Sequence, residues 1–94
     1  MPYLLIRHKV EDYDRWKKAF DDHASIREAA GSKGGHIFRS ADNPNEVVAI
    51  MEMEDLDRAR QFVGSDELRQ AMQKAGVTGP PDILFLEHAD RPSV

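Results

Sequence analysis

The segment VVAIM, residues 47–51, is apolar at every position. A strand with one face in water alternates apolar and polar residues, so an unbroken apolar run puts oily side chains on both faces of its sheet. YLLI (residues 3–6) and ILFL (residues 83–86) repeat the pattern near the two ends of the chain. Three such strands imply a sheet with two faces to cover. How many of those faces the chain's own helices reach decides the architecture.

Outward from these runs the elements follow in order. YLLIRHKV (3–10) is β-rich and stops at EDYD, where Asp12 is placed to cap a helix. From there to Ala30 the positions Tyr13, Trp16, Ala19, Phe20, Ile26 and Ala30 keep helical spacing, and GSKGG (31–35) supplies glycine for a C-terminus. One long helix is predicted. HIFRSA (36–41) and EVVAIMEME (46–54) flank the turn-forming DNPN (42–45), so these two strands form a hairpin. Residues 55–76 predict two helical pieces broken at Gly64, the second capped by Ser65. GVTGPP ends the helical region, and DILFLEHA (82–89) is the last strand.

The order β-α-β-β-α-β describes an α+β domain over residues 1–90, with 91–94 as a frayed tail. Right-handed crossovers place both helical regions on one face of a four-stranded antiparallel sheet in the order 4-1-3-2. The other face is then bare and apolar. At about 25 cal/mol per Å², covering several hundred Å² of it contributes on the order of 10 kcal/mol before association costs. A second copy of the same sheet, packed by two-fold symmetry, is the simplest cover. Two sheets facing each other make a barrel-like homodimer, with residual space between them as a cavity.

This pattern resembles the dimeric α/β-barrel superfamily, and more narrowly the small proteins grouped with antibiotic-biosynthesis monooxygenases and small cyclases. The resemblance is carried by RHKVEDYDRW, by FDDH with Arg27, by NPNEVV, and by SDELRQAMQKAG leading to GPPDILFLE. It implies a ferredoxin-like protomer, a homodimer and a pocket in each subunit. The activities it implies include cofactor-free oxidation of aromatic polyketides, isomerisation and haem breakdown. The haem-degrading branch carries a histidine on its second helix; residues 55–76 contain none.

Composition narrows the partners. A net charge of −4 over 94 residues gives no basic field for a phosphate backbone, so no nucleic-acid partner is expected. No apolar run approaches the roughly 20 residues that span a bilayer, and MPYLLIRHKV is too short and too soon charged for a secretory signal. Without cysteine the chain suits a reducing compartment, and a cytoplasmic protein is expected. No GxGxxG, P-loop or GxSxG motif is present, and the four histidines show no paired metal-ligand spacing. No cofactor and no metal are expected.

The candidate chemistry lies in histidines and arginines. At about 100° per residue, Trp16, Phe20, His23 and Arg27 share a narrow face of the first helix, so an apolar stripe carries two basic side chains. Arg27 comes roughly 22 Å below Asp12 along an unbroken helix, level with the strand ends that hold His36, Glu52, Glu54, Glu87 and His88. His8 lies at the opposite end. Two readings stand: Arg27 pairs with strand-end carboxylates, or Arg27 and His23 face a pocket as anion anchor and acid/base group. The candidate catalytic residues are His23, His36 and His8, and the candidate ligand contacts are Arg27, Arg39 and Glu52. Trp16, Phe20, Met51, Met53 and Met72 read as core. A four-residue turn at DNPN puts His36, Phe38, Met51 and Met53 on one side and Ile37, Arg39, Ile50 and Glu52 on the other; one residue more or less reverses the matching. Either a small aromatic ligand is bound and transformed, or the same side chains serve a non-catalytic binding or dimerisation module.

Overall fold

A computed structural model describes residues 1–94, with β1 (Pro2–Val10), α1 (Tyr13–Asp22), α2 (Ala24–Ala29), β2 (Ser32–Arg39), β3 (Glu46–Met53), α3 (Leu56–Val63), α4 (Asp66–Lys74) and β4 (Val77–Glu87). The sheet is antiparallel in the order β2-β3-β1-β4, the expected 4-1-3-2 read from its other edge. All helices lie on one face, and no helix is long and apolar enough to cross a membrane.

Local chemistry sets the helix starts. Asp12 accepts from the Arg15 backbone N–H at 3.0 Å, Asp55 from that of Arg58 at 2.7 Å, and Ser65 from that of Leu68 at 3.2 Å. Each side chain satisfies one of the donors a helix leaves open at its first turn. Gly64 ends α3 and Ser65 begins α4, the break expected from the sequence.

The first helix departs from expectation, because it divides at His23. Asp21 and Asp22 close α1, which has no basic residue in its last turn. Carboxylates there oppose the dipole of α1, and this end is instead capped by His23 Nδ1 at the Ala19 carbonyl and by Arg27 donating to the Phe20 carbonyl. GSKGG also divides its roles. Gly31, at φ +97°, turns the chain out of α2, but the remainder is strand. A Cβ on Gly35 would sit 1.8 Å from the Ile50 carbonyl oxygen, so glycine is needed there for close approach of two backbones. β4 likewise starts five residues before the expected Asp82 and carries Pro80 and Pro81, which an edge strand tolerates; its register with β1 shifts between Arg7 and Lys9.

The hairpin takes the one-residue alternative. Ser40 N–H donates to the Glu46 carbonyl, and His36 pairs with Ile50, where the four-residue turn would have paired it with Met51. His36, Phe38, Val48 and Ile50 therefore share the face away from the helices. On the covered face Leu4, Ile6, His8 and Val10 of β1 and Val47, Ala49, Met51 and Met53 of β3 are all buried. On the other face an apolar row crosses the sheet from Ile50 to Leu5 to Leu84, with Phe38 and Leu84 each about half exposed. Both faces are apolar, and the chain covers one of them.

Candidate functional site

Between the covered sheet face and the helices lies a cavity of about 60 Å³. β1 supplies Ile6 and His8 to its floor, β3 supplies Ala49 and Met51, and α1, α2, α3 and α4 close the walls. This chamber lies inside one protomer, as the pocket in each subunit implied by the resemblance would.

His8 is the buried polar residue of the core, 6% exposed. Its ring meets Trp16 edge-on with centroids 5.5 Å apart, and neither ring nitrogen has a hydrogen-bond partner in the protein. Burial lowers its pKa, so the imidazole is neutral at pH 7, with one N–H and one lone pair to offer.

His23 is the joint between α1 and α2. Its Nδ1 lies 2.6 Å from the Ala19 carbonyl oxygen. A carbonyl only accepts, so Nδ1 carries the proton, and in the neutral ring Nε2 is left as a lone pair. One turn on, the Arg27 guanidinium lies 3.5 Å over the centre of the Phe20 ring and donates to the Phe20 carbonyl. Phe20 in turn stacks on Trp16 at 5.0 Å and 26°. Arg27, Phe20, Trp16 and His8 therefore form one continuous series of ring and guanidinium contacts along the cavity wall.

Arg27 has no carboxylate partner among the chain's ion pairs. Burial lowers its pKa, opposed by the charge of Asp21. The strand-end carboxylate Glu54 goes instead to Arg58 at 2.5 Å, and Arg58 also donates to the Ala29 carbonyl at 2.5 Å.

Of the sequence-derived candidates, the fold brings His8, His23 and Arg27 to one cavity. His36 is exposed on the uncovered sheet face and stacks on Phe38 at 5.8 Å. Arg39 lies 4.0 Å over the Tyr13 ring and donates to the Pro44 carbonyl at 2.9 Å, outside the cavity. Glu52 pairs with Tyr3 in the β1–β3 ladder, also on the uncovered face. The separation of His8 from His23 and Arg27 inferred from helix rise does not hold. The helix breaks, and helical side chains point back toward their own N-terminus, so Arg27 reaches to Phe20, seven residues earlier. Trp16 and Met51 are core as read, with Phe20 and Met72 packed against it, and all four also line the cavity; the signal was the Trp16-Phe20-His23-Arg27 stripe, whose polar end marks where packing stops. No group of three or more His, Asp or Glu side chains is arranged to hold a metal ion.

Compared by sequence, the chain matches no family model and no curated protein. Compared by structure, it is similar to a Bordetella bronchiseptica protein named as an antibiotic biosynthesis monooxygenase, at TM-score 0.77 and 14% identity over 94% of this chain and 96% of that one. SnoaB, a cofactor-independent oxygenase from Streptomyces nogalater, superimposes at TM-score 0.76 with 15% identity, covering 99% and 97%. A Caulobacter crescentus protein bearing the same monooxygenase name gives 0.72 and 19%, covering 95% and 90%. The chain has the ferredoxin-like fold of antibiotic-biosynthesis-monooxygenase-like proteins.

Proposed function

We propose that this chain, which shares the fold of antibiotic-biosynthesis-monooxygenase-like proteins, is a cytoplasmic homodimer that binds a small aromatic, polyketide-like molecule in its cavity and oxidises or cyclises it without a cofactor. The observation that carries the reading is His8: a neutral imidazole with both nitrogens unpartnered by protein, at the wall of a mainly apolar cavity that it shares with His23 and Arg27. A buried polar group without a partner costs roughly 1–3 kcal/mol, and a ligand's polar atom offsets that cost.

The chemistry follows from the proton inventory. The Nε2 lone pair of His23 takes a proton from a ring CH2 made acidic by a neighbouring carbonyl. The resulting enolate is steadied by Arg27 and by the N–H of neutral His8. Its carbon bonds to dioxygen, and the peroxide loses water as the remaining C–H proton leaves. The CH2 becomes C=O, one oxygen atom stays in the product, and the other departs as water with both hydrogens. His36, Arg39 and Glu52 do not line this cavity.

Size sets a condition. A benzene ring occupies an apolar cavity of roughly 150 Å³, and this one is about 60 Å³. An aromatic guest therefore displaces wall side chains, and the unbranched Met51 and Met72 are the ones best able to yield.

A second reading is favoured by one observation: His23 and Arg27 both donate to carbonyls at the end of α1, a helix-capping role that needs no substrate. In that case the protein is a non-catalytic binding or dimerisation module. A ligand screen followed by dioxygen uptake with each hit separates the two. Turnover lost in His23→Asn, whose amide N–H stands where Nδ1 donates to Ala19 but which has no basic lone pair, supports the enzyme. Binding with no uptake of dioxygen and no conversion of the hit supports the module.

A further inference from the structure

We infer that the cavity selects aromatic monoanions, carboxylates or ionised phenols, and that Arg27 is the residue that reads the charge. The inference deepens the ligand-site reading above and rests on it. Its basis is what the cavity wall contains and what it omits. The polar side chains at the wall are His8, His23 and Arg27; no Asp, Glu, Ser, Thr, Asn, Gln or Tyr joins them. Arg27 is the side chain there that is charged at every ordinary pH, and no acid joins it.

That charge rests on the face of the Phe20 ring and has no ion-pair partner. A guanidinium has five N–H donors, and the one used here goes to the Phe20 carbonyl. Asp21, the acid whose charge is felt at Arg27, is itself held by Lys17 at 2.6 Å. Glu54, one of the strand-end acids, is held by Arg58. Half-buried cations ordinarily find a counter-charge, because desolvation penalises the charged form, and it does so at Arg27. A guest carboxylate or phenolate meets this guanidinium with charge-assisted hydrogen bonds while its ring meets Trp16, Phe20 and Phe62. One cation balances one negative charge, so a dianion would carry the second into an apolar wall. A cationic guest meets no acid at all.

Benzoate and benzamide have nearly the same shape and differ in charge. Each is titrated into the full-length protein while the indole N–H of Trp16, the sole tryptophan, is followed by NMR. Benzoate is expected to bind about 10-fold or more tighter than benzamide, the range of a charge-assisted over a neutral hydrogen bond. Arg27→Met should erase that preference, and Arg27→Lys should keep part of it. Equal affinities in the wild type, or a preference that survives Arg27→Met, overturn the anion selectivity and leave the ligand site standing. If neither probe moves the Trp16 resonance at millimolar concentration, the ligand-site reading falls and the selectivity with it. The wild-type comparison decides the matter even if Arg27→Met does not fold.

Discussion

The ring of His8 stands edge-on to Trp16 at 5.5 Å between centroids, and the helix layer seals it there with no polar partner for either nitrogen. A strand residue and a helix residue thus share one wall of the cavity, and the imidazole stays neutral because water is kept from it. Stability, acid sensitivity and ligand binding are linked through this contact.

Acid should weaken the fold through His8. Its folded pKa lies below the unfolded value of about 6.5, so between the two the unfolded chain binds a proton that the folded chain does not. Stability therefore rises with pH across that window. The destabilisation is absent above about pH 6.5 and grows as pH falls below it. Thermal melts from about pH 5.5 to 8 should slope downward on the acid side, and His8→Phe should flatten the slope; an unchanged slope would show that His8 does not titrate with folding.

The same substitution should raise stability at pH 8. Phenylalanine has no nitrogen to leave unpaired, and the adjoining cavity gives it room. A gain of about 1 kcal/mol is expected, a rise of roughly 4–8 °C in melting temperature for a chain of this size. Ligand binding or turnover should fall in parallel. A protein that gains neither stability nor loses function has a His8 with some other partner.

Arg58→Met should cost roughly 0.5–1 kcal/mol, because this partly exposed side chain holds both Glu54 and the Ala29 carbonyl and so straps the end of α2 to the start of α3. Urea unfolding reads the difference. A midpoint equal to that of the wild type means the strap contributes nothing.

Gly35→Ala should destabilise by about 3 kcal/mol or more, since its Cβ would enter the Ile50 carbonyl oxygen and part the β2–β3 ladder. Gly34, where a Cβ meets nothing within 4 Å but φ is +99°, offers a contrast limited to backbone strain. Denaturant melts that rank Gly34→Ala as the more damaging of the two would refute the close approach at Gly35.

A lysine at Ile50 or Leu84 puts a charge into the apolar row of the uncovered face. If that row is the homodimer interface proposed above, sedimentation at micromolar concentration should show a wild-type dimer and a folded monomer for Ile50→Lys. A wild-type monomer removes the dimer. A mutant that stays dimeric moves the interface elsewhere.

Much of the architecture was legible one residue at a time. Asp12, Ser65 and Gly64 announced the helix boundaries because caps and breaks act within a few residues of chain. The apolar runs at 3–6, 47–51 and 83–86 announced a sheet oily on both sides, and Leu5, Ile50 and Leu84 lie on the uncovered face as that requires. GSKGG and GVTGPP were less legible. Glycine and proline end helices by local conformation, but here Gly35 and Pro80 also answer to a neighbouring strand, which no local rule sees.

The sequence by itself determined the order of elements, the one-sided placement of the helices and the presence of two basic side chains on an apolar stripe, since periodicity and capping are properties of adjacent residues. Tertiary structure decided the hairpin register, and with it which residues face the helices, because a single added loop residue turns every side chain over. It also decided that His8, His23 and Arg27 meet at one cavity while Glu54 goes to Arg58. Those choices depend on a helix break and on distances between segments far apart in the chain, and packing alone sets them.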